Sequence, residues 1–296
     1  MRFTRSSSYH LRISVFAILI VTAISAHAQT PSPTPSPTPN ASATPSLESQ
    51  FFKNILRDQK AIWTAPFHLH SQDARWLAPL GLGTAALIAT DRRTGDEMAE
   101  STGQLNTSRI ISYAGSAYGV GSVAATFYLF GRAKHDDRAR ETGTLGAEAL
   151  IDSAIVATAV KEIAQRTRPS GGVNRSDFFH GGSSFPSGHS IEAWSLATII
   201  ANEYHDKPLV EISAYGIASA VSVARFTGRK HYLSDVLVGS AMGYGIGKYV
   251  YHAHHRKTLN SSGDQEESRR SKRWPMIAPQ YDRHAREYGV ALAWSF

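Results

Sequence analysis

The sequence predicts an all-α protein, a helical bundle with a short C-terminal β-hairpin. Three observations carry this. From Leu47 to about His255, apolar residues come in long Ala- and Gly-rich stretches with few β-branched alternations. Pro169 and the Ser187-Gly188 pair punctuate those stretches as a helix stop and a helix start. Only at the C-terminus does the period change to two: Tyr288, Val290, Leu292, Trp294 and Phe296 alternate with small residues.

The elements follow in order. Arg2, Arg5 and Arg12 precede an apolar run, Ile13–Ile24, and the small-x-small triplet Ala26-His27-Ala28. Residues 1–28 therefore read as a signal peptide; the competing reading is an uncleaved membrane anchor. Residues 29–50 form a Pro/Ser/Thr-rich linker whose polyproline-like repeat cannot build a core. Residues 51–255 are the helical domain. Within it, Trp76–Thr90 is apolar and interrupted by Pro79, whereas Ile110–Phe130 has no charged residue and reaches membrane-spanning length. Leu145–Ala164 carries Glu148, Asp152, Lys161 and Glu162, while Ile212–Ala224 and Leu237–Gly247 are too short to span alone. Mean hydropathy is -0.24, depressed by charged tails. Hydropathy thus favours a compact bundle, soluble or membrane-attached, over a six-span protein. Residues 256–273 read as a charged linker, and 274–296 as a β-like extension with a hairpin around Asp282-Arg283-His284, packed on the bundle.

The 296-residue chain holds 31 Lys+Arg against 24 Asp+Glu, a net charge of +7. That balance suits anionic substrates or a membrane surface. The absence of cysteine excludes zinc-finger patterns and disulfides. Nucleic acid is not an expected partner, because the basic residues are not interleaved with aromatics in any binding module.

Three basic segments carry the chemistry. In the first, Lys161 and Arg168 are two helical turns apart, so a helix ended by Pro169 would present both on one face to clamp a dianion. Arg166 between them reads as a solvated residue near the helix end. In the second, Ser187-Gly188-His189 opens a new helix. Ser187 or a neighbour would cap it, its free N–H groups would face an anion, and His189 would sit in the first turn. In the third, Arg225 precedes a Thr227-Gly228 turn, and His231 and Asp235 have the i, i+4 spacing of a helix-face pair. A carboxylate on one imidazole nitrogen would leave the other free to attack. The run His252-Ala253-His254-His255 reads as a solvated helix end rather than a metal site.

Lys161…Arg168-Pro169, Pro186-Ser187-Gly188-His189 and Arg225…His231…Asp235 together resemble the superfamily of type 2 phosphatidic acid phosphatases, bacterial class A acid phosphatases and vanadium haloperoxidases, in order and in spacing. The resemblance covers about residues 75–251. It implies an all-α bundle in which His231 is the nucleophile that forms a phosphohistidine and Asp235 orients it. His189 would be the general acid; Lys161, Arg168, Arg225, Ser187 and Gly188 would bind the phosphoryl oxygens, in place of any metal or other cofactor. Ala224 stands where the family usually has Ser, which implies weaker phosphate binding with activity retained. The function so implied is a metal-independent, exported phosphatase of the periplasm or cell envelope, acting on a small phosphomonoester or a lipid phosphate or pyrophosphate. The alternatives are a vanadium-dependent haloperoxidase and a non-catalytic envelope protein that binds anionic lipid. The motifs read only the phosphoryl end, so the leaving alcohol stays open.

Overall fold

The computed structural model describes residues 47–97, 101–170, 176–255, 276–282 and 287–293. The expected signal peptide, all but the end of the Pro-rich linker, and the charged linker lie outside the described residues. Helices α1 (Leu47–Thr64), α2 (Ala74–Glu97), α3 (Thr102–Ala114), α4 (Ala117–Lys134), α5 (Asp137–Ala164), α6 (Gly188–Glu203), α7 (Pro208–Thr227) and α8 (Leu233–His254) form the bundle. Strands β1 (Met276–Asp282) and β2 (Glu287–Ala293) pair antiparallel, from Met276↔Ala293 to Asp282↔Glu287, which is the hairpin that the period-two pattern foretells.

Helix α6 occupies the centre, with α5, α7 and α8 packed around it. Its buried residues point in every direction, as a central helix requires. Leu145, Ala149 and Val156 of α5 meet Ile191 and Ile199 of α6 and Ile246 and Val250 of α8 in the main core. Close approach of α6 and α8 depends on a stripe of glycines. A Cβ on Gly239, Gly243 or Gly247 would lie 2.7, 2.2 or 2.6 Å from the backbone oxygen of Ser187, Ile191 or Ser195. That stripe brings the start of α6 against the start of α8, where Ser187 N–H donates to the Asp235 carbonyl at 3.1 Å.

Two sequence boundaries move. The uncharged stretch Ile110–Phe130 is not one helix. It breaks at Gly115-Ser116, and the Ser116 hydroxyl caps α4 by accepting from Gly119 N–H at 3.2 Å. Conversely, the run read as Ile212–Ala224 extends to 20 residues, because Pro208 starts α7 and Arg225–Thr227 continue it. Helices α5 and α7 are consequently long and apolar enough to cross a membrane.

Candidate active site

The first basic segment is built differently from its expectation. Helix α5 stops at Ala164, where Gln165 turns left-handed (φ 43°) and donates its N–H to the Lys161 carbonyl. Lys161 and Arg168 therefore do not share a helical face; Arg168 stands on a non-helical segment four residues beyond the helix. The cause lies in the loop ahead of α6. Phe179 N–H donates to the Ala164 carbonyl, His180 and Gly182 N–H to that of Gln165, and Ser184 N–H to that of Arg166. These donors satisfy the carbonyls that a continuing helix would have used.

The same loop buries Arg166, which overturns its reading as a solvated residue. Arg166 is 0% exposed. Its Nη1 donates to Asp235 Oδ1 at 2.6 Å and to Ser234 Oγ at 2.7 Å, and its Nη2 donates to Asp91 Oδ2 at 2.8 Å. The guanidinium lies between the rings of Phe178 and Tyr232, 4.6 and 4.4 Å from their centroids. Asp91 comes from α2, outside all three motifs, and the Ser234 hydroxyl donates to it.

At the start of α6, Ser187 has the extended backbone of an N-cap but makes no side-chain cap bond. Its hydroxyl accepts instead from Ser190 Oγ at 3.0 Å. The first-turn N–H groups are thus left uncapped by a side chain and free for an anion. Gly188 has a second reason to be glycine: a Cβ there would lie 3.0 Å from Lys161 Nζ. The missing methyl lets the ammonium reach the helix start.

His231 precedes α8 rather than lying on it, so the i, i+4 helix-face pair is not formed. The N–H groups of Lys230 and His231 donate to the Arg225 carbonyl at 3.1 and 3.2 Å, which folds the turn after α7 back on itself. His231 Nδ1 lies 2.6 Å from the Ser184 carbonyl oxygen but 3.8 Å from Asp235 Oδ2. A carbonyl only accepts, so Nδ1 carries the proton and Nε2 keeps its lone pair. The carboxylate expected on the imidazole sits one layer behind. Asp235 Oδ2 accepts from Ser184 Oγ at 2.5 Å and from Tyr232 N–H at 2.8 Å, capping α8. Asp235 therefore holds Ser184, and Ser184 holds His231.

Lys161, Arg168, Arg225 and His189 converge. The charges of Arg225, His231, Lys161 and Arg168 all act on His189, and those of Arg168 and Arg225 act on Lys161. Among the described residues no carboxylate forms a salt bridge with any of the three fixed cations, and the buried Arg225 Nε has no hydrogen-bond partner. Such a grouping of like charges is stable only opposite an anion. Burial, then Arg225, His231, Lys161 and Arg168, hold the His189 imidazole down at about 3. Burial also lowers His231, against the opposing pull of Asp235. For Asp235, burial pushes upward, but its interactions with His231, Arg166 and Ser184 win and keep the carboxyl below its usual value.

His189 and Arg225 line a cavity of about 330 Å³, with Ser108, Arg109 and Ser112 of α3 and Lys230 forming the facing wall. Sequence reasoning missed this wall because α3 carries no motif; the period that puts Ser108 and Ser112 on one face is the only sign of it.

In an all-α bundle, three fixed cations, an uncapped helix start and two histidines thus converge, an arrangement with the chemistry to hold an anion. Residues 143–259 match the family model of the PAP2 superfamily. Over 69 residues the chain is 36% identical to a lipid A 1-phosphatase of Porphyromonas gingivalis, an overlap of 23% of this chain and 16% of that protein. Two solved structures are similar. One is a transmembrane PAP2-type phosphatidylglycerolphosphate phosphatase from Bacillus subtilis, with TM-score 0.47, 21% identity, 61% of this chain and 98% of that one. The other is LpxE from Aquifex aeolicus, with TM-score 0.43, 19% identity, 55% of this chain and 93% of that one.

Proposed function

We propose that this chain is a metal-independent phosphatase of the cell envelope that cleaves lipid phosphates or pyrophosphates through a phosphohistidine. The observation that carries this reading is the cation cluster with no carboxylate in salt-bridge contact among the described residues, set beside an imidazole whose Nδ1 proton is fixed on a carbonyl. Nε2 of His231 attacks phosphorus. Lys161, Arg168, Arg225 and the N–H groups at Gly188 hold the equatorial oxygens as charge spreads over them. His189 gives its proton to the leaving oxygen, then draws one from the water that cleaves the N–P bond. His189 is deprotonated in the free protein, so it gains that proton only as the phosphoryl dianion arrives.

Surface and cavity chemistry favour a lipid substrate over a small phosphomonoester. An apolar groove of about 570 Å³ between α1, α4 and α5 is lined by Phe51, Val120, Ala124 and Leu150, with Glu192 of α6 also in its wall. Glu192 is close enough for its charge to act on Lys161. Large apolar side chains such as Phe52, Leu129, Ile155, Leu209 and Ile212 are exposed, as expected of a membrane-associated face. The lipid phosphatase activity named for the P. gingivalis relative agrees with this choice. Membrane attachment through these faces, with export by the N-terminal segment, completes the reading.

The test is hydrolysis of phosphatidic acid and of p-nitrophenyl phosphate at 25 °C in EDTA. Activity should persist with chelator, favour the lipid, and vanish in His231→Ala. Loss on chelation, or full activity in His231→Ala, would sink the mechanism.

A further inference from the structure

The histidine run at the end of α8 is solvated only in part: His252 is exposed, as the sequence reading expects, but His254 is not. His254 turns inward, its side chain 5% exposed. It meets a buried polar cluster assembled from α1 and α5. Asp58, Glu148 and Asp152 are each 0% exposed, and Asn54 is 4% exposed. His254 Nε2 lies 2.8 Å from both Asp58 oxygens. Asn54 Nδ2 donates to Glu148 Oε1 at 2.9 Å, and Gln59 Nε2 donates to Asp152 Oδ1 at 2.8 Å. The other oxygen of each of these two carboxylates, Glu148 Oε2 and Asp152 Oδ2, is buried without any hydrogen-bond partner. Donor atoms of Asp58, Glu148 and His254 all lie within 4.8 Å of one another.

Two buried carboxylates, Asp58 and Glu148, meet one imidazole at His254, and a third, Asp152, lies beside them. Two orphaned carboxylate oxygens in one cluster mark a missing electrophile, because each buried unpaired acceptor costs about 1–3 kcal/mol. The neighbouring group of Glu141, Glu203 and His255 is a useful contrast. There His255 Nδ1 lies 3.1 and 3.2 Å from the two carboxylates, and no orphaned oxygen occurs among them. That group leaves no buried carboxylate oxygen without a partner; the Asp58 group leaves two.

We propose that Asp58, Glu148 and His254, with Asp152 beside them, form a structural site for a divalent transition ion that clasps α1 to α5 and α8. Oxygen-rich ligation with one imidazole suits Zn²⁺ or Mn²⁺ rather than a soft-ligand ion. Loading releases the proton that His254 Nε2 shares with Asp58, and the ion takes its place. His254 lies 19 residues along α8 from Asp235, about 28 Å at 1.5 Å per residue, so this site is separate from the phosphoryl site. Neither proposal depends on the other.

The test is metal analysis of the full-length protein after exhaustive dialysis, paired with thermal unfolding. About one Zn²⁺ or Mn²⁺ per chain is expected. A strong chelator should lower the unfolding midpoint by about 5–10 °C, restored by Zn²⁺ or Mn²⁺ but not by Mg²⁺. Glu148→Gln and His254→Gln should each lose the ion and the chelator effect. If either variant fails to fold, the wild-type metal content and chelator shift decide by themselves. A metal-free wild type with an unmoved midpoint overturns the proposal in favour of carboxyls sharing protons. So does metal content equal in wild type and Glu148→Gln, which would put the ion elsewhere.

Discussion

Removing Asp91 tests how the loop ahead of α6 is held, because Asp91 touches neither of the two histidines nor Lys161, Arg168 or Arg225. In Asp91→Ala, Arg166 Nη2 loses its 2.8 Å acceptor, and the Ser234 hydroxyl loses its own. Both donors are buried, Arg166 and Ser234 at 0% exposure. Truncating one partner of a buried ion pair costs about 3–5 kcal/mol, more than the pair itself contributes, because the surviving charge stays desolvated. Arg166 keeps Asp235 and two aromatic faces, so the lower half of that range applies, about 3–4 kcal/mol. At about 2–4 °C per kcal/mol for a domain of this size, the unfolding midpoint should fall by about 6–16 °C. Asp91→Asn keeps an acceptor oxygen without the charge and should fall about half as far. Differential scanning calorimetry of the two variants reads both shifts. Midpoints within about 2 °C of wild type would refute the claim that α2 anchors Arg166. Below its midpoint Asp91→Ala should keep KM for a phosphate ester within about twofold, since the clamp residues are untouched.

Two further outcomes follow from the site. Sulfate stays a dianion between pH 4 and 8, so its inhibition isolates the proton taken up by the protein. His189 is held at about 3 when the site is empty, and a bound dianion raises it. Sulfate should therefore bind up to tenfold more tightly per unit fall in pH, over the window between the free and bound values. In His189→Gln the inhibition constant should be flat with pH; a pH-independent constant in the wild type would contradict the proposed proton uptake. Gly188→Ala would place a Cβ 3.0 Å from Lys161 Nζ and push the ammonium off the helix start. We expect kcat/KM to drop about 10–100-fold, 1.4–2.8 kcal/mol of transition-state stabilisation, with the unfolding midpoint little changed. Unaltered kcat/KM in Gly188→Ala would remove Lys161 from the clamp.

What the sequence made legible, and what it hid, have a common physical cause. Periodicity reports which face of a helix is apolar, so the bundle and the terminal hairpin could be read directly. Motif spacing reports which residues the chain brings to one end of the bundle, and Lys161, Arg168, His189, Arg225 and His231 do converge there. Neither signal reports which backbone groups compete for the same partner. Treating Lys161 to Arg168 as one helix ignored that the Phe179–Ser184 loop could take over the carbonyls of Ala164 to Arg166. Once it does, the chain turns, Arg168 leaves the helix and Arg166 swings inward. The misreading of Arg166 follows from that single competition, since on a continuing helix it would point to solvent. The same holds for His231. Spacing suggested a direct contact with Asp235, yet a residue before the helix start cannot share a helix face with one inside it. The Ser184 carbonyl fills the gap at 2.6 Å. Ser184 is thus bound at both ends: its carbonyl fixes His231, its hydroxyl holds Asp235, and Asp235 is tied through Arg166 to Asp91 on α2. An imidazole positioned through a backbone carbonyl cannot be released by changing one side chain at that position. Its geometry can be disturbed from as far away as α2, which no reading of the three motifs alone would suggest.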